Sequence, residues 1–282
     1  MIKTSVTLAY QKDSGVSPFR AAEFEEGLDW ACGLGVDAVE LSVAWPGAAD
    51  TARMRESLER RNMPVSTLST GVMAGEGLVF CDEDAAVRGN AVRHIREHID
   101  LASALAGKPA VTIGLARGMG GGDAETLARQ RAMIAECLER CCEYASKKGI
   151  MLNLEPFNRY ESAHLHTARE CAVFIRALRH SDSVGILYDT FHSNIEDANM
   201  TDTIEEFSRM FSHVHFADSN RGLPGEGHID FAGVLQALQK TGYDRYISLE
   251  VLNVPDRGHV RGFAHRFVSL VRAALSDLEQ TP

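Results

Sequence analysis

Four short apolar segments of the sequence each end near a residue of a type that commonly binds metal ions. The segments LNLEPFN, GILYDTF, SHVHFAD and YISLEVL contain, in this order, Glu155, Asp189, His215 and Glu250, at or near the carboxyl ends of predicted β-strands. Three carboxylates gathered in one place repel each other unless a cation lies among them. An imidazole completes a coordination shell of oxygen and nitrogen ligands. The sequence therefore predicts a site for a divalent metal ion.

The spacing of apolar residues predicts strands and helices that alternate along the whole chain. The strand-like segments are TSVTLA, DAVELSV, PVSTLST, AVTIGL, MLNLEPF, SVGILYD, HVHFAD and YISLEVL. Amphipathic helices are predicted over residues 21–34, 51–62, 84–106, 124–148, 167–180, 202–210, 231–241 and about 258–278. Because nothing marks a topological switch point or a second domain, this pattern favours a closed barrel over an open doubly wound sheet. We expect one α/β domain over residues 1–282, a (β/α)8 TIM barrel.

In a barrel of this kind the four candidate ligands would point into the interior. Side chains alternate between the two faces of a strand, so each ligand shares its face with the residue two positions earlier. The resulting pairs are Asn153 with Glu155, Leu187 with Asp189, His213 with His215, and Ser248 with Glu250. One such polar residue alone would more often be structural, but four at one height near the barrel mouth favour an active site. His213, one layer deeper, is predicted to be a hydrogen-bonded core residue that supports the site.

Composition and charge exclude several classes of function. The chain has 282 residues, of which 45% are hydrophobic, and its 29 Lys and Arg against 39 Asp and Glu give a formal net charge of -10. This charge opposes binding to nucleic acid or to an anionic membrane. No apolar run approaches the roughly 18 residues that span a bilayer, and the first residues lack the apolar middle of a signal peptide. We expect a cytoplasmic protein whose six cysteines, which show no C-x-x-C spacing, are reduced thiols.

Four longer motifs resemble a known family. LNLEPFNRYES, YDTFHSNIED, HVHFADSNRGLPGEGHIDF and ISLEV are similar to the sugar isomerase/epimerase family of xylose-isomerase-like TIM barrels, and most closely to its D-tagatose 3-epimerase-like and 5-keto-L-gluconate epimerase members. The similarity is strongest over residues 150–252. It implies that Glu155, Asp189, His215 and Glu250 bind the metal, and that Glu155 and Glu250 are also the catalytic acid/base pair. It further implies that substrate oxygens are held by Glu161, His192 and Arg221.

The chemistry of these residue types is consistent with that resemblance. A ketose offers its C2 carbonyl and C3 hydroxyl to a cation, which would polarise the carbonyl and stabilise an enediolate. Oxygen ligands with one imidazole suit Mn²⁺, Mg²⁺ or Co²⁺, and the family makes Mn²⁺ our first choice. We expect no organic cofactor. Two glutamates on separated strands could remove the C3 proton from one face and return it to the other, which favours an epimerase over an isomerase. The expected substrate is a free ketose or a keto-sugar acid.

Other functions remain open from the sequence. The same scaffold could carry a ketose–aldose isomerase of the hydroxypyruvate isomerase type, or an epimerase of the L-xylulose 5-phosphate 3-epimerase type. A zinc-dependent DNA nuclease is disfavoured by the negative charge and by the few histidines at the mouth, and a sugar-binding protein without activity is disfavoured by the complete ligand set. The expected partner is a small sugar, with neither nucleic acid nor membrane, and the resemblance implies a homo-oligomer, either a dimer or a tetramer.

The roles of several further residues also stay open. Glu40 could face the pocket or be a buried structural carboxylate. Arg117 could point inward, with Arg221 or Arg20, to hold a carboxylate or phosphate end of the substrate, or it could be exposed. We expect apolar walls of the pocket, or plain core residues, at Trp45, Met73, Phe157 and Phe191. Positions on a helix surface or at a helix end are expected for His94, His98 and His180.

Overall fold

Eight parallel strands close into a barrel in a computed structural model that describes the fold of residues 1–279 and the side chains of residues 1–275. Each strand pairs with its neighbour in the chain, and β8 closes the ring on β1. The strands are β1 (Lys3–Tyr10), β2 (Ala38–Val43), β3 (Val65–Ser69), β4 (Ala110–Ile113), β5 (Leu152–Leu154), β6 (Val184–Asp189), β7 (Phe211–Phe216) and β8 (Tyr246–Leu249). The predicted closed α/β barrel is therefore confirmed.

Helices follow the strands and cover the outside of the barrel. They are α1 (Phe24–Leu34), α2 (Thr51–Glu59), α3 (Gly71–Gly75), α4 (Ala85–Ala104), α5 (Ala124–Lys148), α6 (Ala168–Arg176), α7 (Thr190–Glu196), α8 (Met200–Phe207), α9 (Phe231–Lys240), α10 (Arg257–Phe263) and α11 (His265–Glu279). Among the described residues, no helix combines the length and the apolar character that crossing a membrane requires.

Some helix boundaries differ from the sequence prediction, and the structure contains short helices that the sequence does not predict. The helix predicted over 202–210 begins two residues earlier, because the Oδ1 atom of Asn199 accepts hydrogen bonds from the backbone N–H groups of Thr201 and Asp202. The predicted closing helix consists of two helices, α10 and α11. The short helices α3 and α7 lie in loops after strands, where too few residues are present to show a helical period.

Polar side chains form a hydrogen-bonded layer inside the barrel, beneath the mouth. The Nε2 atom of His213 lies 2.8 Å from the Oγ atom of Ser248, which confirms His213 as a hydrogen-bonded core residue. Asn153 donates from Nδ2 to the Oγ1 atom of Thr67 at 3.1 Å and to the Oγ1 atom of Thr112 at 3.3 Å. These contacts tie β3, β4 and β5 together and β7 to β8. The layer therefore fixes the strands whose next interior positions carry the candidate ligands.

The prediction for two histidines of α4 is wrong. His94 and His98 lie on the buried face of the helix, because positions four apart share one side and this side packs on the barrel. The two ring nitrogens of His98 lie 3.0 and 3.1 Å from the carbonyl oxygens of His94 and Val43. Burial lowers the pKa of His98 to about 4. His180, by contrast, lies just after α6 as expected, with its Nδ1 atom 2.7 Å from Glu139.

Candidate active site

The four candidate ligands converge at the carboxyl ends of consecutive strands. Glu155 follows β5, Asp189 ends β6, His215 lies in β7, and Glu250 follows β8. The Nδ1 atom of His215 lies 3.7 Å from a carboxylate oxygen of Glu155, 3.7 Å from one of Asp189 and 3.4 Å from one of Glu250. One ligand atom from each of the four residues lies within 4.8 Å of the others. This arrangement has the size of a single coordination sphere.

Strand register and a helix cap position these groups. Asp189 and His215 are partners in the β6–β7 ladder, and His215 pairs with Ser248 in β8, so Glu250 lies one interior position nearer the mouth. Asp189 also begins α7, since its Oδ1 atom accepts hydrogen bonds from the backbone N–H groups of Phe191 and His192. With Oδ1 occupied in this way, the rotamer of Asp189 is fixed and Oδ2 faces the other ligands.

Two buried atoms of this cluster indicate that a cation fits between them. Asp189 Oδ2 and His215 Nδ1 have no hydrogen-bond partner among the described residues. Buried polar atoms are almost always paired, so unpaired ones call for a ligand. Behind His215, the Nε2 atom lies 3.0 Å from Glu40 Oε2, and Glu40 is completely buried. When the imidazole carries its hydrogen on Nε2 and donates it to Glu40, the lone pair of Nδ1 points at the cluster. Metal-binding histidines require this arrangement.

The pKa shifts of the cluster reflect its need for positive charge. Burial raises the pKa of Glu155, and the nearby Glu250 adds to this effect, although His215 opposes it. Burial alone would lower the pKa of His215, but the carboxylates of Glu40 and Glu250 raise it well above its ordinary value. Burial would raise the pKa of Asp189, yet the two imidazoles of His192 and His215 lower it to about 2. A positively charged group beside these carboxylates therefore stabilises their ionised form.

A cavity of about 350 Å³ opens directly above the cluster. Glu155, His215, Glu250 and Arg221 line one side of it. The opposite side, built from the ends of β1 to β4 and the loops that follow them, presents hydroxyl groups and one lysine, from Lys12, Ser14, Ser42, Ser69, Thr70 and Thr112. Such a volume is at the small end of the range for small-molecule sites. Of the predicted apolar walls, Phe157 lines the cavity, Met73 is core, and Trp45 is 43% exposed.

The three predicted substrate-contact residues lie beside the cavity and contact one another or the cluster. Arg221 donates from Nη1 to both carboxylate oxygens of Glu161, at 3.0 and 3.1 Å. The guanidinium also stacks on the ring of Phe191, 4.9 Å from its centroid, and its Nη2 lies 3.9 Å from Glu250. His192 is fully buried, with Nε2 3.9 Å from Glu155 Oε1. Only Arg221 of the three lines the cavity itself.

Both sequence expectations for Arg117 are wrong. Its side chain is buried, and it neither points into the cavity nor reaches the surface. The guanidinium donates to the carbonyl oxygens of Gly114, His164 and Glu155. Arg117 therefore ties the loop after β4 to the backbone of Glu155. Glu40, whose role the sequence left open, is the buried carboxylate behind His215. No local motif could reveal this contact, because Glu40 and His215 are 175 positions apart.

Comparison with known proteins is consistent with this architecture. The sequence pattern described as "Xylose isomerase-like TIM barrel" matches residues 28–266. The chain belongs to the xylose isomerase-like TIM barrel family. The family resemblance seen in the sequence motifs is thereby confirmed.

Similar members of the family include named epimerases. The L-ribulose 3-epimerase of Mesorhizobium japonicum is 31% identical over 229 residues, which are 81% of this chain and 75% of that protein. The ketose 3-epimerase of Arthrobacter globiformis is 28% identical over 219 residues, 77% of this chain and 73% of that one. A solved structure of L-ribulose 3-epimerase superposes with a TM-score of 0.82 at 26% identity and covers 100% of both chains.

The cluster predicts that Mn²⁺ stabilises the folded protein and that Asp189→Asn abolishes most of this effect. The amide oxygen of the new side chain could still cap α7, but its NH₂ group would replace Oδ2 with a donor that cannot bind a cation. We expect the wild-type melting temperature to rise with Mn²⁺, by the equivalent of about 2.7 kcal/mol at a hundredfold excess over Kd. Differential scanning calorimetry with and without Mn²⁺ would measure this difference.

Asp197→Asn is the matched control, because Asp197 ends the same helix and its carboxylate accepts a hydrogen bond from Tyr188 Oη at 2.9 Å, away from the cluster. This variant should keep the full response to Mn²⁺. An equal Mn²⁺ response in wild type and Asp189→Asn would show that the ion binds elsewhere.

Proposed function

We propose that this protein is a metal-dependent epimerase that inverts C3 of a ketose. The observation that carries the proposal is the pair of carboxylates, Glu155 and Glu250, which come from two separate strand ends, line the cavity and lie 3.7 and 3.4 Å from His215 Nδ1. Relatives named as 3-epimerases of L-ribulose and of ketoses support it. We also propose that residues 1–282 form one domain, so that the whole site is built within a single barrel.

Glu155, Asp189, His215 and Glu250 would hold the ion, and Glu40 would keep the imidazole in the binding tautomer. A bound divalent cation polarises the C2 carbonyl of a ketose and makes the hydrogen on C3 more acidic. The donor set of three carboxylates and one imidazole suits Mn²⁺, Mg²⁺ or Co²⁺, and the family resemblance favours Mn²⁺ among them. We propose Mn²⁺.

The two glutamates would transfer the proton. One carboxylate takes the C3 proton, the C3–H electron pair forms a C2–C3 double bond, and the carbonyl becomes the oxyanion of an enediolate. The other carboxyl group then gives a proton to the opposite face of C3, and the carbonyl re-forms with inverted configuration. Glu155 is suited to exchange a proton because burial raises the pKa of this carboxyl group. No redox cofactor is required by this sequence of bond changes.

Substrate orientation would depend on the residues beside the cavity. Arg221 is held by Glu161 on one side and by the ring of Phe191 beneath it, so its remaining N–H groups are fixed in direction. The buried Nε2 atom of His192 has no partner among the described residues and lies on the Glu155 side. We propose that Glu161, His192 and Arg221 hold the oxygens of the substrate around C1 to C3.

The charges around the cavity favour a neutral substrate. Besides His215 of the cluster, two basic side chains of the described residues line it, Lys12 and Arg221, and each already forms an ion pair, Lys12 with Glu76 and Arg221 with Glu161. Asp13 adds a further acidic group to the lining. A phosphate or carboxylate end of a substrate would therefore have to compete for cations that are already paired. The hydroxyl-lined half of the cavity suits the hydroxyl groups of a free ketose instead.

Exchange in deuterated water tests the reaction. Ketoses incubated with the Mn²⁺-loaded enzyme should gain deuterium at C3 and form the C3 epimer, as followed by ¹H and ¹³C NMR. Glu155→Gln and Glu250→Gln should each lower the rate by about 10²- to 10⁴-fold, because each removes one proton-transfer group. Metal content is measured for both variants, since both residues are also proposed ligands.

Glu139→Gln is the control for this experiment, because Glu139 lies on α5 outside the barrel and pairs with His180. It should retain the wild-type rate. Deuterium at C1 with formation of an aldose would establish the isomerase alternative, and the absence of any exchange with a broad panel of ketoses would refute the epimerase proposal.

A comparison of charged and uncharged substrates tests the preference for a neutral ketose. For a ketose that is epimerised, the 5-phosphate of the same sugar should give a kcat/KM at least about tenfold lower, equivalent to about 1.4 kcal/mol, because its dianion meets no unpaired cation. Steady-state rates with both compounds provide the measurement. A strict requirement for the phosphate would instead assign the protein to phosphorylated pentuloses.

A further inference from the structure

Asn158, in the loop after β5, contacts two of the three proposed substrate-contact residues at once. Its Nδ2 atom lies 2.7 Å from the Nδ1 atom of His192 and 3.1 Å from the Oε1 atom of Glu161. Through Glu161 the contact extends to Arg221. Asn158 is 1% exposed and does not line the cavity. Asn158 is therefore a buried residue that connects side chains proposed to contact the substrate.

The surroundings of Asn158 determine which way its amide group faces. Its Oδ1 atom accepts a hydrogen bond from the backbone N–H of Tyr160 at 3.0 Å. If the amide were turned over, its NH₂ group would face that N–H donor and its oxygen would face the carboxylate of Glu161. Both contacts would be repulsive. The two amide hydrogens therefore point at Glu161 and at His192, and every hydrogen-bonding atom of the side chain is used.

This orientation settles the tautomer of His192. A ring nitrogen that receives a hydrogen bond from an amide must present its lone pair, so Nδ1 carries no hydrogen. The backbone N–H of Asn158 points at the same Nδ1 atom, at 3.4 Å. The ring hydrogen is then on Nε2. That atom is buried and unpartnered among the described residues, 3.9 Å from the Glu155 carboxylate.

We propose that Asn158 is a positioning residue that holds His192 as the Nε2–H tautomer and anchors Glu161, so that both act on one substrate. In this arrangement His192 offers a hydrogen-bond donor next to the carboxylate that exchanges the C3 proton. The opposite tautomer would present a lone pair toward a carboxylate, which repels it, and would have no hydrogen to donate to a substrate oxygen. The rings of Phe157 and Phe191, whose centroids lie 4.4 and 5.3 Å from that of His192, leave the imidazole little freedom to turn. The effect on catalysis rests on the proposed function, whereas the tautomer itself does not.

Nitrogen NMR of the full chain tests the tautomer directly. Protein labelled with ¹⁵N-histidine and loaded with diamagnetic Mg²⁺ is compared with Asn158→Leu and Asn158→Asp, and His192→Gln assigns the signals. In the wild type, Nδ1 of His192 should show the shift of an unprotonated nitrogen and Nε2 that of a protonated one. Asn158→Leu, similar in size but without a donor, should move both shifts toward a mixture of tautomers. Asn158→Asp should place a hydrogen on Nδ1 of His192, because a carboxylate can accept a hydrogen bond from this atom but cannot donate one.

Asn153→Leu is the matched control, because Asn153 is also a buried asparagine, five residues earlier, and among the described residues its side chain donates only to Thr67 and Thr112 in the barrel interior. It should lower thermal stability to a similar degree but leave the His192 nitrogen shifts unchanged. With an epimerised ketose, we expect Asn158→Leu to lower kcat/KM by about 10- to 100-fold, the usual effect of losing a residue that orients an active-site group.

The outcomes separate the two proposals. Wild-type His192 with a hydrogen on Nδ1, or shifts that do not change in either Asn158 variant, would overturn the role of Asn158 whatever the enzyme catalyses. Shifts that change as expected in a protein that epimerises no ketose would uphold the tautomer but refute the proposed reaction. Expected shifts with unchanged kcat/KM would show that the tautomer does not contribute to catalysis and would also overturn the positioning role.

Discussion

The hydrogen bond between Glu40 and His215 is the constraint on which the rest of the site depends. These residues lie on β2 and β7, and both side chains are buried inside the closed barrel. Removing one partner of a buried hydrogen bond leaves the other group unsatisfied and costs about 1–3 kcal/mol, and more when that group is charged, so the contact restricts both side chains strongly. Because Nε2 faces Glu40, Nδ1 can only face Glu155, Asp189 and Glu250. Closure of the barrel thereby determines which nitrogen is presented to a cation.

A second set of buried contacts orients the groups around this centre. Arg117 donates hydrogen bonds to three backbone carbonyl oxygens, one of them that of Glu155. This contact holds the backbone just after β5, where Glu155 lies. Asn158, three residues further along the chain, donates hydrogen bonds to His192 and Glu161. Neither residue contacts the cavity. The loop after β5 therefore carries both a candidate acid/base residue, Glu155, and a residue that holds His192 and Glu161, Asn158.

Much of this structure could be predicted from the sequence because it follows from local periodicity. The eight apolar segments and the helices between them specify a closed barrel, and alternation along each strand places Glu155, Asp189, His215 and Glu250 on one face. The contacts that could not be predicted join distant parts of the chain. Arg117 has carbonyl partners 3, 38 and 47 residues away, and backbone acceptors leave no mark in a sequence. The prediction for His94 and His98 is wrong because it follows the polarity of these residues, although Ala91, Ile95 and Ala102 at helical spacing mark the same face of α4 as buried.

The central claim is that Glu155, Asp189, His215 and Glu250 bind one divalent ion together. Crystals grown with Mn²⁺ and measured at the manganese absorption edge would test it most directly. We expect one strong anomalous peak among these four side chains, within bonding distance of an oxygen of each carboxylate and of His215 Nδ1, with His215 Nε2 still against Glu40. A peak bound elsewhere, or an imidazole turned so that Nδ1 faces Glu40, would contradict it.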